Sequence, residues 1–262
     1  MLRLHDLIDL YAAARDIAPV TICQYRCAVN RFAAWLGDVP TVADLAERIN
    51  PFVAHLSLGN RQTARAYRIA LVALLRSTGR MEAVRRVKVS DLIPRAFTHQ
   101  ELRSLRRHAT PRQLAAIDLA YDTGLRRGDL FTVRRSQVDQ HCVLRLVASK
   151  TGQRLVRRLR PATLALCEAI AVPGDDRLLP TPYRSWTEWQ KGFRRLAKRA
   201  GIVVTKPGLQ MVRRSAASYV KRAGGNASEF LGHSPASGDL ASRFYLDPTL
   251  CDEPPPLPPP IQ

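Results

Sequence analysis

From Leu4 to about Gly79 the apolar residues recur at helical spacing, and a periodicity held over so long a stretch commits this part of the chain to an all-helical unit. Ile22, Tyr25, Val29, Phe32 and Leu36 fall on one stripe, and Tyr67, Leu71, Leu74 and Leu75 on another. Thr21 reads as the N-cap of the second helix, while Pro40-Thr41 and Asn50-Pro51 bracket a shorter third. In the last helix Arg61, Arg65 and Arg68 lie largely off the apolar stripe, which fits either a solvated face or contacts to phosphate.

Between residues 81 and 94 the stripe disappears and basic residues cluster, so this segment reads as a linker. A second start follows at Thr98-His99-Gln100-Glu101, a capping box with Leu102 and Leu105 as core positions behind it. Residues 111–121 form a helix ending in Asp122-Thr123-Gly124. Only then does the period change: residues 143–148 and 154–159 are β-prone runs around Ser149-Lys150-Thr151-Gly152-Gln153, a hairpin with Gly in its turn. Residues 161–170 and 185–200 return to helix. In the latter, Trp186, Trp189 and Phe193 are expected to face the core, with Arg194 and Lys198 on the other face. The plan is mainly α with a small β-sheet: a helical unit over 1–80, a linker over 81–97, an α+β domain over 98–248 and a proline-rich tail over 249–262.

With 41 Lys+Arg against 22 Asp+Glu, the chain of 262 residues carries a formal charge of +19, which attracts polyanions. Most of these cations are arginines, a bias that a genome rich in arginine codons would also produce, so the charge alone does not fix a partner. Membrane is the competing polyanion, but no run of about 18 apolar residues occurs and the N-terminal stretch carries acids within its apolar part. Nucleic acid is the expected partner, in the cytoplasm. The cysteines, Cys23, Cys27, Cys142, Cys167 and Cys251, are odd in number and form no C-x-x-C pair, as in a reduced protein. Cys23 and Cys27 share a helix face without further ligands near in sequence, so they are expected to be buried and inert; no metal and no cofactor is expected.

The stretch from Gly208 to Tyr245 carries the chemistry. A basic helix bears Arg213 and Arg214, a Gly-rich break follows at Gly224-Gly225, and then come Leu231-Gly232-His233 and Tyr245. Arginine supplies fixed charge and forked donors for phosphate oxygens, so the group suggests phosphodiester chemistry. This stretch resembles the C-terminal signature of the tyrosine recombinases, the phage-integrase family, in which H-x-x-R is followed by L-G-H and a nucleophilic tyrosine. Thr123-Gly124-Leu125-Arg126 with Asp129 is similar to that family's first-arginine motif, and Lys150 sits where the family has its hairpin lysine.

The resemblance implies a core DNA-binding domain followed by a catalytic domain, a site-specific recombinase or integrase cutting and rejoining double-stranded DNA through a 3′-phosphotyrosine, and no need for metal or ATP. Tyr245 would be the nucleophile, Lys150 the general acid, Arg126, Arg213 and His233 the groups on the non-bridging oxygens, and Asp129 the acid that orients Arg126. Gln210 stands in the position of the family's first histidine. Arg61, Arg65, Arg68, Arg127, Arg194, Lys198 and Arg214 are the expected DNA contacts. A tetramer on paired sites, with accessory DNA-bending proteins and nucleoid association, would follow. Three other readings stay open: a cleavage-impaired accessory protein of the same fold, favoured by Gln210; a type IB topoisomerase, which shares the chemistry; and a structural basic protein. The tail, with its PPPLPPP run, reads as an extended polyproline II end without order of its own.

Overall fold

The computed structural model describes residues 2–80, 84–88, 95–150, 152–180, 186–232 and 257–260. The chain divides into two compact units, Met1–Leu92 and Ile93–Gln262.

In the first unit four helices follow in order: α1 (Leu4–Ala13), α2 (Pro19–Leu36), α3 (Val42–Gly59) and α4 (Arg61–Ser77). Their stripes meet in one core around Phe32, Leu45, Ile49, Phe52, Leu71 and Leu74. Phe32 and Phe52 meet edge to face at 5.2 Å. The caps differ from the expected ones in two places. Helix α2 begins at Pro19 with Ala18 as N-cap, not at Thr21, because proline's fixed φ suits the first helical position and its missing N–H costs nothing there. Helix α3 does not stop at Asn50-Pro51 but runs through Pro51 for 18 residues. An interior proline costs about 3 kcal/mol, yet each fully buried apolar side chain contributes about 1.5–3 kcal/mol, and Leu45, Ile49, Phe52, Val53 and Leu56 carry the stripe across it. The break falls instead at Asn60, whose side chain caps α4 by accepting from Thr63 N at 3.0 Å.

Residues 84–88 are fastened to this unit. Arg68 donates to the carbonyls of Val84 at 2.9 Å and Arg85 at 2.8 Å, and Arg85 N donates to Asn50 Oδ1 at 2.8 Å. Arg68 thus spends two donors on the strap, whereas Arg61 and Arg65 are exposed. Cys23 and Cys27 are exposed too, against expectation, because the buried positions of α2 are Ala28, Val29 and Phe32. Cys167 is buried in the second unit, and burial pushes its thiol up to about 12. Cys251 lies outside the described residues.

The second unit is built around one helix. Its elements are α5 (His99–His108), α6 (Pro111–Thr123), α7 (Arg127–Leu130), a 3-10 turn (Arg135–Gln137), β1 (Val143–Val147), β2 (Arg154–Arg158), α8 (Pro161–Ala169), α9 (Trp186–Arg199), α10 (Leu209–Arg222) and α11 (Ala227–Phe230). Ten of the 13 residues of α6 are buried, so it forms the axis on which α8 and α10 pack. Two of those ten are aspartates, each held by an arginine: Arg106 grips Asp118 through two bonds of 2.9 and 3.0 Å, and Arg160 pairs with Asp122. The capping box expected at Thr98–Glu101 starts α5.

β1 and β2 form the expected antiparallel hairpin, with Leu144 opposite Arg157 and Leu146 opposite Leu155. Alternation puts these four side chains on one face. The tail is a correction: residues 257–260 lie against the second unit, Pro259 O accepting from Tyr121 Oη at 3.1 Å and Pro258 O from Arg160. Proline lacks a donor but keeps its carbonyl, which makes such a segment a string of acceptors. Among the described residues no helix is long and apolar enough to cross a membrane.

Candidate active site

Helix α6 ends at Gly124, which takes φ +59 and so reverses the chain into Leu125 and Arg126. Gly124 also has no room for a side chain, since a Cβ there would lie 2.5 Å from the Phe230 ring. The backbone therefore lies flat on α11, and Arg126 emerges as the N-cap residue of α7. Asp129, one turn on, is buried, and its Oδ1 accepts from Ser149 N at 2.9 Å. This bond ties Asp129 to the hairpin turn that carries Lys150.

Helix α10 presents Gln210 in its first turn and Arg213 one turn later, on the same side. Arg213 is only 4% exposed; it donates to Gly124 O and, at 2.8 Å, to Leu231 O. Burial, with Arg126 and Arg157 nearby, pulls its guanidinium down to about 10, opposed by Asp129.

These elements enclose a cleft of about 680 Å³ lined by Arg126, Arg127, Lys150, Lys206, Arg213 and Arg214, together with Gln210, Gln190, Trp186, Gly128, Gly208, Leu209 and Leu231. Among the described residues, six cations and no carboxylate line it. Arg126 Nη1 is buried with no hydrogen-bond partner among the described residues, a costly state that an anion's oxygens would relieve. Chemically, the arrangement can hold a doubly liganded oxyanion and bring an ammonium donor to it.

The structure brings together Arg126, Arg127, Lys150, Gln210, Arg213 and Arg214 of the residues picked from the sequence. Arg194 and Lys198 are exposed on α9 and do not line the cleft, and Arg61 and Arg65 belong to the other unit. His233 and Tyr245 lie outside the described residues. Among the described residues, no group of His, Cys, Asp and Glu could hold a metal ion. Sequence reasoning missed Lys206 and the role of Trp186. Trp186 is 36% exposed rather than core, and the Arg127 guanidinium sits over its ring at 4.2 Å. Its place at the start of α9, beside the cleft, sets it apart from buried Trp189 and Phe193. Arg157 was missed as well, though it stands between Leu155 and Leu159 at inward spacing.

A helical unit is thus followed by a mixed unit whose cleft is lined, among the described residues, by six cations and no carboxylate. Solved structures make the class specific. A lambda integrase tetramer bound to a Holliday junction superposes with a TM-score of 0.72 at 21% identity, over 91% of this chain and 79% of that one. A lambda integrase dimer bound to a COC′ core site gives 0.71 at 22%, over 92% and 77%. XerH site-specific recombinase bound to palindromic difH substrate, in a post-cleavage complex, gives 0.60 at 17%, over 85% and 75%. The chain has the tyrosine-recombinase fold. No protein-family model and no curated protein sequence matches it.

Proposed function

We propose that the chain is a tyrosine-type site-specific recombinase that cuts and rejoins double-stranded DNA through a 3′-phosphotyrosine. The observation that carries this reading is the meeting of Arg126 at the start of α7, Lys150 in the hairpin turn, and Gln210 and Arg213 of α10, in the family's order, on one cleft that among the described residues carries no acid and leaves Arg126 Nη1 without a partner. Arg126 and Arg213 would neutralise the non-bridging oxygens of the scissile phosphate as charge builds on them. The Tyr245 hydroxyl, losing its proton to solvent, would form the new O–P bond; the P–O5′ bond would break, and Lys150 would give its proton to the departing 5′-oxygen. A 5′-hydroxyl of a partner strand reverses these steps, so bond energy is kept in the covalent intermediate.

The neighbours' complexes, a Holliday-junction tetramer and core-site dimers, support double-stranded DNA as partner and a tetramer on paired sites as the working form. Accessory DNA-bending proteins, cytoplasmic residence and nucleoid association belong to the same proposal, as do phosphate contacts from Arg61, Arg65, Arg127, Arg194, Lys198 and Arg214. A second reading has one observation in its favour. Gln210 can hydrogen-bond a phosphate but cannot take the tyrosine's proton as an imidazole does, which fits a cleavage-impaired DNA-binding relative.

Incubation with nicked suicide substrates drawn from the flanks of the encoding locus separates the two. Active enzyme yields a covalent protein–DNA band that Arg126→Ala abolishes. DNA binding without that band under any of the substrates would leave only the accessory reading.

A further inference from the structure

Arg157 lies on the inward face of β2, 4% exposed, where the pattern of the hairpin calls for an aliphatic residue. Burying a guanidinium is expensive unless its donors are satisfied, and here they are satisfied by main-chain carbonyls. Nε donates to Thr123 O at 3.1 Å, Nη1 to Val156 O at 2.6 Å, and Nη2 to Glu229 O at 2.9 Å and Phe230 O at 2.8 Å. Arg213 binds the next carbonyl in each of the same two segments, Gly124 O and Leu231 O. Two buried arginines therefore staple the end of α6 to the end of α11 at consecutive residues.

Both stapled segments lead directly into site positions. Thr123-Gly124 precedes Arg126, and Phe230-Leu231 precedes Gly232, where a Cβ would lie 2.5 Å from Leu155 of β2. At both glycines the backbone thus lies too close to a packed side chain, Phe230 or Leu155, to admit a Cβ. Arg157 itself is absent from the cleft lining, so it touches no group bound there.

We infer that Arg157 is a positioning residue for strand cleavage, fixing the Arg126-bearing turn and the Leu231-Gly232 turn in one register and holding a second positive charge behind Arg213. This rests on the recombinase reading for its catalytic half; the clamp itself is a matter of geometry alone.

The test uses the full chain carrying Arg157→Lys, which keeps the charge but cannot reach carbonyls on both segments at once. Three quantities are compared with wild type at a temperature where melting shows both folded: DNA affinity, single-turnover cleavage of a suicide substrate, and amide hydrogen exchange over residues 123–126 and 229–232. Affinity is expected to stay within about threefold and cleavage to fall about 100-fold, the effect of displacing a catalytic group by about 1 Å, with faster exchange in both segments. Cleavage within twofold of wild type would overturn the positioning role, since a purely structural arginine would lower the melting temperature and leave cleavage per folded molecule intact. If wild type itself does not cleave, the recombinase reading fails while exchange still decides the clamp: unchanged exchange in both segments overturns it. Should Arg157→Lys not fold, wild-type exchange alone decides. Shared staples predict that the Gly124 and Leu231 amides open together, and independent opening contradicts them.

Discussion

At Gly124 one residue serves two demands, a left-handed backbone and contact with the Phe230 ring, and no other residue type meets both. Gly124→Ala adds a Cβ in a disfavoured conformation, about 1–2 kcal/mol, and forces apart a packed contact, about 1–3 kcal/mol, so a loss of roughly 2–5 kcal/mol is expected in denaturant unfolding. A loss under about 1 kcal/mol would mean that α11 yields easily, and would weaken the account of how Arg126 is aimed. Thr123-Gly124-Leu125-Arg126 was legible because glycine after a helical run and arginine after glycine are local signals. Arg157 was less so, because a basic residue inside a β-prone run is ordinarily assigned to solvent, and only the fold reveals carbonyls converging on that point. Cys23 and Cys27 were misread for a related reason: burial follows from which stripe of α2 faces its neighbours, which residue type alone does not fix.

The hairpin is the element whose sequence signal was clearest, since a change of period is visible without any knowledge of packing. Its entry depends on Asp139. Arg145 at 2.5 Å, then the N–H groups of Val143 and His141, hold this carboxyl down at about 2. A group whose value is depressed in the folded state adds stability above its ordinary value of 3.8 and loses it as pH falls through about 2. The melting-temperature gap between wild type and Asp139→Asn is therefore expected to be constant from pH 7 to 5 and to close between about pH 4 and 2; a gap unchanged at pH 2 would show that the carboxylate charge is irrelevant. The helices teach the opposite lesson. Caps such as Thr98–Glu101 announce themselves, whereas α3 passes Pro51 because a continuous buried stripe outweighs a missing hydrogen bond, a balance set by tertiary packing.

Over the whole molecule, the formal charge of +19 does not place a ligand, but among the described residues six cations and no acid line one cleft of the second unit, while the first keeps Arg61 and Arg65 exposed. The docking of residues 257–260 was not legible in the sequence, since their partners, Tyr121 and Arg160, are far away in sequence. In the proposed reaction the cleft holds a DNA phosphate for attack by Tyr245. The direct measurement is mass spectrometry of peptides from the trapped protein–DNA complex. The account predicts a nucleotide joined through a 3′-phosphate to Tyr245, and no adduct from Tyr245→Phe; a nucleotide joined to Tyr183, Tyr219 or any other residue would contradict it.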